Sequence, residues 1–190
     1  MNENSRPRRP DVTQTEMVGG IEALEVSLHD ADERWAEAYV EHRQRIREAL
    51  ADLGEEFGIE HIGSTAVPGL AAKPIVDIVV TVPDITAEED YLGQLIAAGY
   101  ELRVREPGHR LVRTPARDVH VHLYEHEHPA VADYLLLRDQ LRADAADRAL
   151  YENTKRALLE RRWDDTNAYA EAKTAVIRQI KVRARARQAG

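Results

Sequence analysis

One stretch governs what this chain can fold into: Ile59–Val80, reading IEHIGSTAVPGLAAKPIVDIVV. A short apolar run ends at Gly63-Ser64, and a loop of Pro, Gly and small residues follows. Lys73-Pro74 then lead into a second apolar run that carries one acid, Asp77. Carboxylates are costly to bury, so an Asp inside such a strand needs a partner or a task. Two apolar segments flanking a small-residue loop, with an acid opposite it, suit a sheet-based core with a ligand at its edge.

Length and charge set the outer limits. The 190 residues fit one domain with a single substantial core. A net charge of −8 disfavours wholesale binding to a nucleic-acid backbone, although a local basic patch is compatible with it. The absence of cysteine removes disulfides, thiolate metal sites and cysteine nucleophiles. No apolar run approaches the roughly 20 residues that span a bilayer, and the N-terminus lacks a signal-peptide core. A soluble cytoplasmic protein without a membrane partner is the expectation.

Residues 1–20 are polar, with Arg6, Arg8 and Arg9 among prolines and Gly19-Gly20 at the end. They read as a flexible tail, with a nucleic-acid arm as the alternative. The remaining 21–190 read as one domain, sheet-bearing over about 21–128 and helical over about 130–187. Ile21–Leu28 is a strand candidate, and Asp30 or Asp32 can cap a helix running to about Leu53. Phe57–Ile62 and Lys73–Val82 read as strands. Thr86 is placed to cap a helix that stops at Gly99. Tyr100–Arg105, Arg110–Arg113 and Asp118–Tyr124 are three more strands, the first two turning at Pro107-Gly108. Ala130–Arg187 divides into three helices with breaks near Asp144–Asp147 and Arg162–Thr166. This order predicts an α/β (α+β) chain with a mixed β-sheet flanked by helices and a helical C-terminal segment.

At this point HIGSTAVPGLAAKPIVDI, His61–Ile78, resembles the signature of the GrpB family, whose members have a nucleotidyltransferase-like fold. VHVHLY at Val119–Tyr124 and LLLRDQLRAD at Leu135–Asp144 resemble later blocks of that family, as do the pairs Tyr151/Lys155 and Tyr169/Lys173. The likeness runs from about Val26 to Arg187. The family's biochemical role is itself poorly defined, so the resemblance speaks to fold more than to reaction.

In nucleotidyltransferase-like folds a Gly-Ser pair opens a turn beside the sheet. Gly63 permits close backbone approach, and N–H groups with the Ser64 and Thr65 hydroxyls can hold a phosphate. The alternative is a capped turn with no ligand. A Walker-type loop is excluded, because Leu70, not Lys, follows Gly69. Asp77 follows Ser64 by 13 positions, the spacing the resemblance implies for a first metal-binding acid. Such sites place a second acid two residues on, and together with a third they hold two Mg²⁺ ions. Here that second position is Val79. A structural acid bonded to loop amides or to Lys73 is the other reading of Asp77.

The strand that would supply the third acid carries His120, His122 and Tyr124 on one face and Val119, Val121 and Leu123 on the other. With Asp77, His120 and His122 would form a two-His, one-carboxylate set for Zn²⁺, Mn²⁺ or Fe²⁺ rather than Mg²⁺. Alternatively one histidine is a general base for an acceptor hydroxyl, or both bond phosphate, or the face is simply solvated. His61 borders the loop, while His126 and His128 precede Pro129 and read as loop residues. Lys73, Arg113, Arg138, Lys155 and Lys173 are the candidate phosphate-binding cations, each also readable as a surface charge.

Two function classes follow. One is a nucleotidyl-transfer enzyme that uses a divalent metal (Mg, Mn or Zn) and moves a nucleotidyl group to an acceptor. The other is a non-catalytic module for a nucleotide or phosphorylated small molecule, with one-metal hydrolysis between the two.

Overall fold

The computed structural model describes residues 8–20, 27–54, 57–159 and 166–188, with side chains of the last helix from Lys173 onward. The sequence reading of one domain meets a different division, into two compact units that each draw on several segments. The first comprises residues 1–21, 39–60 and 78–128, the second 22–38, 61–77 and 129–190.

Six strands form a mixed sheet: β1 (Glu16–Met17), β2 (Gly58–Ile62), β3 (Val76–Val82), β4 (Glu101–Glu106), β5 (His109–Arg113) and β6 (Val119–Glu125), in the order β1-β4-β5-β6-β3-β2. Pro107 and Gly108, the latter at φ +72°, close the β4–β5 hairpin, and β1–β4, β4–β5 and β5–β6 all pair antiparallel. On β6 Val119, Val121 and Leu123 are buried while His120 and His122 on the other face are half-buried, and Tyr124 on that second face is buried as well.

Helix α1 (Arg34–Ala49) ends four residues short of the expected Leu53, because a 3₁₀ turn over Ala51–Leu53 takes up the last turn before Gly54 at φ +66°. Asp32 caps it, its Oδ1 accepting the Arg34 N–H at 2.9 Å. In the first unit its His42 and Ile46 are buried, as is Leu50 just beyond its end. The helix expected after Thr86 is reduced to a 3₁₀ turn and α2 (Leu92–Ala97), neither with a side-chain cap, and Thr86 instead gives its N–H and hydroxyl to Asp84 in the preceding turn.

Residues 8–20, read from sequence as part of a flexible tail, are a correction. Arg110 on β5 is 2% exposed, and a cation so buried needs anions around it. Asp11 supplies one at 2.6 Å and Glu88 another at 2.6 Å, while Asp11 also accepts the Gly108 N–H at 2.6 Å. β1 then pairs with β4 through Glu16↔Arg105 and Met17↔Val104. Residues 1–7, most of the strand expected at Ile21–Leu28, and the break expected near Arg162–Thr166 except Thr166 itself lie outside the described residues.

The second unit contains α3 (Pro129–Ala143), α4 (Ala145–Leu159) and α5 (Thr166–Gln188). Asp144 makes the expected break, its Oδ1 accepting the N–H groups of Ala146 and Asp147 at 2.9 and 3.0 Å. The apolar centre joins Val67 and Leu70 from the small-residue loop to Leu141, Tyr151, Val176 and Ile180 from the three helices. At about 25 cal/mol per Å² of apolar surface, such side chains each contribute roughly 2 kcal/mol, so the loop is fixed by its own buried residues. Among the described residues no helix is long and apolar enough to cross a membrane.

Candidate functional site

In the second unit, most of the loop residues singled out by sequence act on one another. Gly63 has φ +73°, which disfavours any residue with a β-carbon. A β-carbon there would also stand 2.7 Å from Asp77 Oδ2 and 3.2 Å from Asp77 Cβ. The acid on the second strand therefore packs directly on the backbone of the glycine, which explains why the two occur together. Ser64 opens a 3₁₀ turn, Ser64–Ala66, and is half-buried.

Thr65 is turned inward. Its hydroxyl donates to Ile75 C=O at 3.1 Å and meets His61 Nε2 at 3.1 Å, so that nitrogen carries the proton. Burial, reinforced by Arg142, pulls His61 down to about 4, and it stays neutral. Thr65 and His61 thus brace the loop from inside, which departs from the phosphate-holding role expected of Thr65.

The helices hold the loop from the other side. Arg138 donates to His61 C=O at 3.0 Å and Arg142, one turn later, to Ala66 C=O at 2.8 Å. Arg138 also pairs with Asp139 at 2.7 Å, so its charge is already engaged. On α4, Glu152 accepts the Ala71 N–H at 3.1 Å, and Lys155 donates to Ala71 C=O and to Ser64 Oγ, the latter at 3.1 Å.

Lys155 is 4% exposed, with its ammonium 4.8 Å from the centre of the Tyr151 ring. Burial lowers its pKa to about 8; Glu152 opposes the shift, and Lys173 and Arg156 add to it. Burial also lowers Lys173, with Asp77 opposing and Lys73 reinforcing the effect. Ser64 and Asp77 therefore share one electrostatic neighbourhood with Lys155, Lys173 and Lys73, in which Lys173 repels each of the other two lysines.

The remaining candidates lie in the first unit. Arg113 is buried and bonded to Glu101 at 2.9 Å across the β4–β5 pair. His120 stands opposite Arg113 in register and His122 opposite Leu111. His122 Nδ1 lies 3.1 Å from His109 Nε2. Among the described residues, no group of three or more His, Cys, Asp or Glu side chains could hold a metal ion. Of the set expected for a divalent cation, Asp77 packs against Gly63 in the second unit, and His122 meets His109 in the first.

Sequence reading missed Arg142, Glu152, Glu106 and His109. Arg142 carried a signal, falling one helical turn after Arg138. Glu152 and His109 carried none, since only the fold brings them to Ala71 and His122.

Comparison with known proteins agrees with this architecture. The GrpB protein family matches residues 25–183. A UPF0157 protein of Streptomyces coelicolor is 67% identical over 184 residues, which cover 97% of each chain. The crystal structure of the conserved protein GrpB from Enterococcus faecalis aligns with a TM-score of 0.74 at 29% identity, covering 86% of this chain and 100% of that one. The Cid1 poly(U) polymerase in its Mg 3'-dATP-bound crystal structure aligns with a TM-score of 0.51 at 15% identity, covering 70% of this chain and 42% of the polymerase. At that identity the likeness is one of fold, of the nucleotidyltransferase type.

Proposed function

The chain belongs to the GrpB family, and on that premise we propose that it binds a nucleotide, or a small molecule with a similar phosphate group, at the Gly63–Ser64 loop and passes a nucleotidyl group to an acceptor. One observation carries the reading. A buried lysine, Lys155, is pinned to the Ser64 hydroxyl while Lys173 and Lys73 repel within the same cluster. A phosphate placed there relieves the repulsion and gives the buried ammonium a counter-charge.

Each residue then has a role. Lys155 donates to Ser64 Oγ, so the Ser64 O–H is itself a donor to an anion. Lys155, Lys173 and Lys73 neutralise charge on the phosphate chain, as phosphoryl chemistry demands. Asp77 balances Lys173 and fixes the glycine turn. Arg138, Arg142 and Glu152 set the loop's backbone and make no demand on the ligand. Among the described residues no group of three or more His, Cys, Asp or Glu side chains could hold a metal ion.

The second reading is a binding module that senses the same ligand without transfer. Val79, standing where a second acid would be needed, favours it.

Thermal melts with each ribonucleoside triphosphate, with pyrophosphate, and with Mg²⁺ or a chelator test the binding, because ligands of the folded state raise its melting temperature. A rise with at least one triphosphate is expected, retained by Arg113→Gln and abolished by Lys173→Ala. Absence of any rise with phosphate-bearing ligands would sink the proposal. Pyrophosphate release in the presence of the binding nucleotide separates transfer from sensing.

A further inference from the structure

The two adjacent hydroxyls of the loop are engaged differently. Thr65 donates to Ile75 C=O. Ser64 Oγ, half-buried at the start of the 3₁₀ turn, lies 3.1 Å from Lys155 Nζ. That nitrogen also donates to Ala71 C=O and stands 4.8 Å from the centre of the Tyr151 ring. Glu152, three residues earlier on α4, accepts the N–H of the same Ala71 at 3.1 Å, so the residue that aims the lysine is itself fixed from α4. A hydroxyl, a basic group beside it and a third group that orients the base make the arrangement of an activated nucleophile.

The pair has two states. With the ammonium charged, Nζ donates to Oγ. Burial moves Lys155 down to about 8, with Glu152 opposing and Lys173 and Arg156 reinforcing the shift, so the neutral amine is accessible near neutral pH. Once the proton is lost, one N–H stays on Ala71 C=O and the lone pair faces the Ser64 O–H across the same 3.1 Å. Lysine serves serine as a base in this way on unrelated folds.

We propose that Ser64 is a covalent nucleophile with Lys155 as its general base, so that the nucleotidyl group is carried on Ser64 Oγ before it passes to the acceptor. This rests on the nucleotidyl-transfer reading of the loop. The Ser64 O–H bond breaks, its proton joins the Lys155 lone pair, and Oγ bonds to the α-phosphorus of a nucleoside triphosphate. The bond between that phosphorus and the bridging oxygen breaks, and its electron pair leaves with pyrophosphate. The phosphate chain raises the proton affinity of the amine and so favours the proton transfer. The ammonium formed on Lys155 then joins Lys173 in offsetting the charge of the new phosphodiester. In the return step the acceptor oxygen displaces Oγ, which recovers its proton from Lys155, and the acceptor's own proton passes to water.

Diisopropyl fluorophosphate, a neutral electrophile that needs no nucleotide, tests the nucleophile in the ligand-free chain, with the adduct located by peptide mass spectrometry. The expected result is modification of Ser64 at a rate that rises with pH and levels off above about 8, where Lys155 becomes neutral. An unassisted serine shows no such plateau. The rate should fall at least about 100-fold in Lys155→Met and in Lys155→Arg, the low end of what a positioned base contributes; thermal melts establish that both variants fold. Each α-³²P-labelled ribonucleoside triphosphate is then incubated with the chain, and one of them should leave a label on Ser64 that survives denaturation. The label should be absent with the γ-labelled nucleotide and in Ser64→Ala. A triphosphate that raises the melting temperature yet leaves no label on Ser64 overturns the covalent route and spares nucleotide binding. Modification of Ser64 with the expected plateau, but no melting response to any triphosphate, supports the Ser64–Lys155 pair and removes the nucleotide reading instead. A rate without a plateau, or indifferent to Lys155, overturns the pair.

Discussion

Asp77 Oδ2 stands 2.7 Å from the point a β-carbon on residue 63 would occupy, and Gly63 holds φ at +73°. Glycine is thus required twice, by its backbone and by the carboxylate on it. Gly63→Ala is expected to cost about 3 kcal/mol, from left-handed strain and a displaced Asp77 together. Denaturant unfolding measures it, and in an Asp77→Ala background the cost should drop by about half. Equal costs in both backgrounds would mean the contact is not close enough to matter.

Lys155 makes stability depend on alkaline pH. An unfolded lysine titrates at about 10.4, whereas the folded value is lowered to about 8 by burial. Between these values the unfolded chain holds the proton more tightly, so stability rises with pH through that window. Below pH 8 both states are charged, and the full cost of burying the ammonium is present. Relative to Lys155→Met, the unaltered chain should gain on the order of 3 kcal/mol between pH 8 and 10.4. An anion bound at Ser64 restores the proton, so calorimetry near pH 9 in buffers of different ionisation enthalpy should record proton uptake on binding.

Lys173 sets stability against binding. It is held among Lys73, Lys155 and Asp77 with its charge disfavoured by burial. Lys173→Met removes a desolvated charge together with the repulsions from Lys73 and Lys155 and the attraction to Asp77. The ligand-free protein should be unchanged or more stable by about 1 kcal/mol, while its thermal response to nucleotide falls. A variant that loses stability and keeps the response would mark Lys173 as structural.

How far the sequence carries depends on whether a residue's partner is local. Gly63, Ser64 and Asp77 were legible because an acid in an apolar strand and a glycine turn each announce a constraint nearby. The β6 alternation was legible because the period of two is a backbone property. The inward partner of Thr65, the Ile75 carbonyl, was illegible because it is reached only once the loop folds back. The surroundings of the two histidines on β6 were illegible for a similar reason. Spacing places His120 and His122 on one face, but only the β5–β6 register shows that His109 meets His122 there. The order in residues 8–20 was illegible because its cause, the buried Arg110, lies about a hundred residues away.

That pair gives the last expectation. Arg110 has 3% of its side chain exposed and is neutralised by Asp11 and Glu88 at 2.6 Å each. Burial works against the Asp11 carboxylate, yet the Gly108 and Val12 N–H groups and Arg110 together hold it below the usual carboxylate range. Its contribution is therefore complete above about pH 4, its unfolded value, and disappears as pH falls through the lower folded value. Asp11→Ala leaves a buried guanidinium one anion short and should cost about 2 kcal/mol at pH 7, discounted from the buried-pair range because Asp11 itself is partly exposed. The cost should shrink toward pH 3. If residues 8–20 are held by Asp11, the same substitution raises their amide exchange toward that of an open chain. In Arg110→Met, which removes the need for the anion, Asp11→Ala should cost little further. A full cost in that background would locate the order of the segment in β1 pairing alone.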